Sequence, residues 1–267
     1  MLSRKPIIPY IVWMAIFVVI PMIIIIYFAF TDKNGAFTLD NLQVIPKYGP
    51  VILSSLKIAL ISTAICLVLA YPFAMIMSNM KVSTQRMMNM IIMLPMWMNF
   101  ILRIVAWVVI LQPNGILDNL LGILGFGRNT LYHTESAIII GVVYNYLPFM
   151  ILPIYTTLSK ISKPLIEASR DLGCNGFNVF RKVILPLSVP GIITGITMVF
   201  VPAASVFVIS SRLGGYSLVG DVIDSYFKGA GADMNAGSML SFILMICIVI
   251  CMAVMNRFDN GEDSVIV

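Results

Sequence analysis

A chain of 267 residues with 60% apolar and 11% charged side chains, at a mean hydropathy of +0.98, is far poorer in charge than a soluble domain, where about 25% of residues are charged. It reads as an all-α, polytopic membrane protein with room for about six spans of ~20 residues and none for a separate soluble domain. The net charge of +5 tracks topology and gives no reason to expect a nucleic-acid partner.

Arg4 and Lys5 precede an apolar run from about Tyr10 to Phe30, interrupted only by Pro21 and closed by Thr31-Asp32-Lys33-Asn34-Gly35. No small-residue cleavage site precedes that polar segment, so a retained first span is expected. The second run, about Val51 to Met80, carries Lys57 near one end, where a lysine snorkels, and Tyr71-Pro72 inside, where a kink is expected. A short basic connection, Lys81 to Arg86, leads to a third run from about Met87 to Leu111. Within it, Leu94-Pro95-Met96-Trp97-Met98-Asn99-Phe100-Ile101-Leu102-Arg103 sets a helix breaker, polar residues and aromatics at membrane depth. An arginine there costs a few kcal/mol on insertion scales, so Arg103 should face a polar cavity, a partner or an interface. Asn99 and Arg103, at i and i+4, fall on one helix face.

From Gln112 to about Glu135 the chain is polar and glycine-rich (Gly115, Gly122, Gly125, Gly127). It reads as a loop with a short interfacial helix around Ile116 to Leu124. No Lys-Ser/Thr pair follows the glycines, so they do not form a nucleotide loop. His133, the single histidine, falls in this loop and is expected to be solvated. The fourth run, about Ser136 to Leu158, contains Val143-Tyr144-Asn145-Tyr146-Leu147-Pro148-Phe149. Such a group forms either an aromatic-lined polar kink suited to an organic cation or an aromatic belt at the bilayer boundary. Trp97, Asn99, Arg103, Tyr144, Asn145 and Tyr146 are thus the candidates for a substrate path.

Ser162 to Gly191 is the longest charged interruption, yet its pattern is helical. Pro164 suits a first turn, Leu165, Ala168, Ser169 and Leu172 recur at i, i+3, i+4 and i+7, and Gly173 is a C-terminal stop. Asn175 caps a second short helix, with Phe177, Phe180 and Ile184 on one side and Arg181 and Lys182 on the other, which Pro186 is expected to end. The two make a compact knob. The fifth run spans about Leu187 to Ser211 and includes Val201-Pro202-Ala203-Ala204-Ser205-Val206-Phe207, whose small residues permit close helix packing. A polar loop with Asp221, Asp224 and Asp233 covers 214–237, the sixth run spans about Ser238 to Met255, and an acidic tail covers Asp259 to Asp263.

With the N-terminus inside, the inner side holds Arg4, Lys5, Lys81, Arg86, Lys160, Lys163, Arg170, Arg181, Lys182 and Arg257, against Lys33, Lys47, Arg128, Arg212 and Lys228 outside. That bias places both termini and the knob in the cytoplasm. Cys66, Cys247 and Cys251 fall in apolar runs and Cys174 in the knob, so no extracellular disulfide framework is available and no metal cluster is expected. None of the apolar runs holds an acid, which weighs against an ion-driven carrier, and the histidine's place in a loop weighs against an intramembrane hydrolase.

Glu167-Ala168-Ser169, Gly173 and, nine residues on, Val183-Ile184-Leu185-Pro186 resemble the E-A-A…G…I-x-L-P pattern of permease subunits of bacterial ABC importers. Leu94 to Trp107 and Val143 to Pro153 are similar to the L-P-F-W-x-x-F-L-x-R-x-Y-A-W and V-Y-x-Y-L-P-F-M-I-L-P stretches of spermidine/putrescine permeases, the first subunit of the pair. The resemblance implies a type I importer permease of six transmembrane helices over 1–267. Its coupling loop would lie at about 160–186 and insert into a groove of a cytoplasmic ATPase. Glu167, Ala168, Ser169, Asp171, Gly173, Phe177, Leu185 and Pro186 would be the coupling residues, with Gly173 a hinge or tight-packing point. Also implied are a second permease as heterodimer partner, two ATP-binding subunits, a polyamine-binding protein outside and a bacterial inner membrane. The chain itself would bind no cofactor, ATP and magnesium belonging to the ATPase. Ser169 and Val183 depart conservatively from the pattern. Where relatives read F-I-P-A-x-G-E-F-V, the acidic position here is Val206, so a cation's counter-charge must come from the outer loops or the partner.

Overall fold

The structure, a computed structural model, describes residues 7–124, 131–228 and 232–259. Arg4, Lys5, Gly125, Gly127, Arg128 and the acidic tail beyond Asp259 lie outside them. The described chain is helical throughout its regular parts: α1 (Ile7–Met14), α2 (Ile20–Ala29), α3 (Val44–Ser78), α4 (Val82–Trp97), α5 (Phe100–Leu111), α6 (Ile116–Ile123), α7 (Glu135–Leu158), α8 (Lys163–Asp171), α9 (Gly176–Val179), α10 (Leu185–Ala204), α11 (Val219–Phe227) and α12 (Met234–Asp259). Among the described residues six helical stretches are long and apolar enough to cross a bilayer: Pro9–Ala29, Asp40–Ser78, Phe100–Ile123, Glu135–Leu158, Gly176–Ala204 and Met234–Met255.

Three expectations need correction. The run predicted as one span over Met87 to Leu111 breaks at Met98 and Asn99 into α4 and α5. Both residues leave the helical region (ψ 147° and 131°), and Asn99 Oδ1 accepts the Ile101 N–H at 2.8 Å. The amide starts a new helix as its N-cap, which outcompetes continuation of the old one. Pro186, predicted to end the second knob helix, does not. A π turn at Phe180–Ile184 joins α9 to α10, with the Leu185 N–H reaching back to the Phe180 carbonyl. That widened turn makes room for the proline ring at the start of α10. The loop expected over 214–237 contains α11.

α11 begins where Asp221 Oδ2 accepts the Leu218 N–H at 2.8 Å and the Ser210 hydroxyl at 2.5 Å. Replacing Asp221 with alanine removes both acceptor roles and should cost about 1 kcal/mol of stability, read as a lower thermal midpoint and faster proteolysis near α11. Asp221→Asn, which keeps an acceptor, should lose less.

α3, α7 and α10 form the centre of the bundle, and α12 packs against α2 and α11. Gly191 and Gly195, four residues apart on α10, bring its backbone against α7. A Cβ at Gly191 would stand 2.5 Å from Thr157 Oγ1 and 2.8 Å from the Pro153 carbonyl, and one at Gly195 would stand 2.7 Å from Met150 Sδ. Small residues at this spacing let membrane helices approach closely. Hydrogen bonds lock the same neighbours: Tyr71 to Ser188 at 2.9 Å between α3 and α10, and the Tyr155 hydroxyl to Gln85 Oε1 at 2.9 Å between α7 and α4. α3 runs unbroken through Pro50 and Pro72. Lys57 does more than snorkel, since its Nζ lies 3.0 Å from Glu135 Oε2 at the start of α7, with both side chains about half exposed.

Candidate functional site

At one end of the bundle α8 and α9 form the knob. α8 closes with the Cys174 N–H donating to the Ser169 carbonyl at 3.2 Å and the Gly173 N–H to the Arg170 carbonyl at 2.8 Å. This is the paired bonding of a Schellman cap, and it sets Gly173 at φ +83°, a conformation that costs a side-chain-bearing residue. A Cβ at Gly173 would meet nothing of this chain within 4 Å, so within the chain the glycine serves backbone conformation. Asn175 Oδ1 accepts the Asn178 N–H at 2.9 Å and starts α9.

Ser169 is buried, its hydroxyl donating to the Ile166 carbonyl at 2.7 Å, while Leu165, Glu167, Ala168 and Asp171 are exposed. Leu172 and Phe177 stand out most, at 86% and 67% exposed. The knob thus presents large apolar side chains among Glu167, Asp171 and Arg170, and nothing in the described chain covers them. Leu185 and Pro186 are half-buried at the base. Beneath the knob an open cavity of about 450 Å³ separates it from the ends of α3, α4 and α7.

The path candidates divide. Trp97 is 79% exposed at the end of α4, and Asn99 is spent on its cap. Tyr144 packs edge-on against Trp107 with centroids 5.4 Å apart and borders an apolar recess with Leu69, Phe73 and Pro95. Asn145 points the other way, buried, with Nδ2 donating to the Gly141 carbonyl at 2.8 Å. The Arg103 guanidinium lies 5.6 Å from the Phe100 ring centroid, and Tyr146 is half-buried. Ser62 Oγ, Arg103 Nε and Asn145 Oδ1 are buried without a partner among the described residues. Trp97, Asn99, Tyr144 and Asn145 therefore diverge, and Arg103 stacks on Phe100. Val206 sits in the core with Ile104, Phe200 and Leu218, where an unpaired carboxylate would be costly.

At the end opposite the knob, an open cavity of about 640 Å³ is bordered by Phe207, Arg212, Tyr216, Asp221 and Asp224 among others. Burial pushes the Asp221 carboxyl above its ordinary range, against the pull of the Ser210 and Leu218 bonds. Burial, reinforced by the Glu135 carboxylate, pushes the Tyr216 phenol up to about 12. Sequence reading missed this cavity, because apart from Ile101 its border is the stretch 207–224, read as the end of a span followed by a loop, and only the fold of that stretch makes it concave.

Residues 70–261 match the family described as binding-protein-dependent transport system inner membrane component. The chain belongs to this family. It is 38% identical over 261 residues to the spermidine/putrescine transport system permease protein PotB of Haemophilus influenzae, covering 93% of this chain and 91% of that one. PotB of Escherichia coli is 37% identical over 246 residues, covering 88% and 89%. Among solved structures, a bacterial ABC transporter importing the acidic polysaccharide alginate aligns at a TM-score of 0.76 and 16% identity, over 97% of this chain and 95% of that one. The MetNI methionine ABC transporter aligns at 0.63 and 17% identity, over 84% and 99%. At those identities the structures establish the fold of an ABC importer permease, and this permease is accordingly a multi-pass membrane component of a transport system.

Proposed function

We propose that this permease carries polyamines of the spermidine/putrescine class inward as part of an ATP-driven importer. The observation that carries the reading is its 38% identity over 93% of its length to a spermidine/putrescine permease. The whole chain acts as one transmembrane unit, with both termini and the knob on the cytoplasmic side of a bacterial inner membrane, as the lysine and arginine bias favours. A second, non-identical permease completes the pore. Two copies of an ATPase sit below, hydrolysing ATP with magnesium, and a polyamine-binding protein delivers cargo above.

Residues 160–186 couple the two machines. Glu167 anchors the ATPase contact through its carboxylate, Ala168 and Ser169 keep the helix face narrow, and Leu172 and Phe177 supply apolar area. Uncovered large side chains on an otherwise charged projection favour a protein partner there. Asp171 borders the contact, while Leu185 and Pro186 join it to α10. Arg103 and Tyr146 line the path at mid-depth. Leu172→Asp with Phe177→Asp should abolish co-purification of the ATPase while leaving the permease inserted. The substrate reading is tested by ATP hydrolysis of the reconstituted complex over a panel of amines. Stimulation by spermidine or putrescine supports it, and stimulation only by uncharged solutes overturns it.

A further inference from the structure

Beside the outer cavity an alkylammonium of the chain itself sits against two of the bordering residues. Lys228, at the C-terminal end of α11, places its Nζ 2.7 Å from Asp224 Oδ1 and 6.0 Å from the centroid of the Phe207 ring. Both Asp224 and Phe207 border the cavity. A carboxylate on one side and an aromatic face on the other form the environment that a primary ammonium on a flexible alkyl chain selects. The lysine side chain is four methylenes ending in such a group, so in charge and shape it is a tethered analogue of a polyamine end.

The seat and its occupant are unequally held. The Lys228 side chain is 70% exposed and its one ion pair among the described residues is the i,i+4 contact with Asp224, a kind of pair that contributes little. Phe207 is fixed from behind, because Gly220 at the start of α11 lies so close that a Cβ there would stand 3.1 Å from Phe207 Cβ and 2.7 Å from the Ser205 carbonyl. Charge completes the case. With Lys228 seated, Asp224 is neutralised, and the two remaining charged residues on the cavity wall, Arg212 and Asp221, balance each other. With Lys228 displaced, the mouth presents an unpaired carboxylate beside an aromatic ring, and Asp221 lies one turn earlier on the same helix face.

We propose that Asp224 and Phe207 form an outer receiving seat for a primary alkylammonium group, that Lys228 occupies it at rest, and that an incoming polyamine end displaces the lysine. The inference rests on the polyamine reading and goes beyond it by naming the seat and its internal competitor. Nothing covalent changes: one ammonium leaves the Asp224 carboxylate as another arrives.

The test uses the complete complex with its binding protein in proteoliposomes, measuring spermidine uptake and spermidine-stimulated ATP hydrolysis. Lys228→Met keeps the apolar stem, removes the competitor and should lower KM about threefold. Asp224→Asn should raise KM about tenfold with kcat largely kept, the loss expected of one charge-assisted contact. In the double variant the effect of Lys228→Met should vanish, because no seat remains to compete for. Phe207→Leu should raise KM more than Phe207→Tyr. If the parent complex transports spermidine and all these variants keep its KM, the seat is overturned, as it is if Lys228→Met and Asp224→Asn shift thermal stability alone. A parent complex that responds to no polyamine sinks the substrate reading instead, an outcome visible before any variant is made.

Discussion

Gly173→Val should leave the permease inserted and full-length in the membrane while uptake collapses and ATP hydrolysis no longer follows substrate. The φ of +83° at this position is penalised by about 1–3 kcal/mol for a β-branched residue. The Cβ itself has open space around it, so the damage is confined to the Schellman cap. Losing that cap frees the Cys174 and Gly173 N–H groups and changes the angle between α8 and α9. The exposed side chains of α8 then change their placement relative to Phe177 on α9. At ~1.4 kcal/mol per factor of ten, uptake should fall about tenfold or more. Gly173→Asn is the control, since asparagine tolerates the left-handed region and should restore much of the activity. Uptake by the valine variant equal to that of the parent would refute the coupling role given to the knob.

Gly191→Leu should act on the fold itself. The side chain would meet Thr157 and the Pro153 carbonyl at distances no packed atom tolerates, and the obstruction includes backbone, which cannot rotate away. Overpacking of this kind costs about 1–3 kcal/mol or more. It would also push α10 from α7 and strain the Tyr71–Ser188 bond three residues earlier. The expected result is little purified protein and a lower midpoint for what remains, measured by size exclusion in detergent and thermal unfolding. Gly191→Ala should be milder yet still detectable, because its added Cβ alone would stand 2.5 Å from Thr157 Oγ1.

Where function depends on local chemistry, it was legible in the linear sequence. Gly173 and Asn175 announce a helix end and a helix start through residues within one turn of each other, and both caps form as read. Apolar runs likewise announced five of the six long apolar stretches. The third was misjudged because Asn99, set in an apolar run, reads as a polar guest on a continuing helix until its side chain is seen to bond Ile101. Pro186 misled for a related reason: the π turn that accommodates it has no sequence pattern of its own. α11 escaped because Gly220, Asp221 and Ser225 resemble loop residues. What makes Asp221 a helix-starting residue is partly Ser210, eleven positions away. Asn145 and Tyr144 looked like members of one polar surface, but adjacent residues on a helix diverge by about 100°, and one faces the core while the other faces outward.

The π turn at Phe180–Ile184 carries a mechanical consequence. It makes the base of the knob and the fifth span one uninterrupted rod, Gly176–Ala204, 29 residues or roughly 43 Å in length. The far tip of that rod stands three residues from Phe207, on the rim of the opposite cavity. A tilt imposed at the knob would therefore be carried along one helix as far as Ala204, and the short non-helical link at 205–207 is what stands between that tip and the rim.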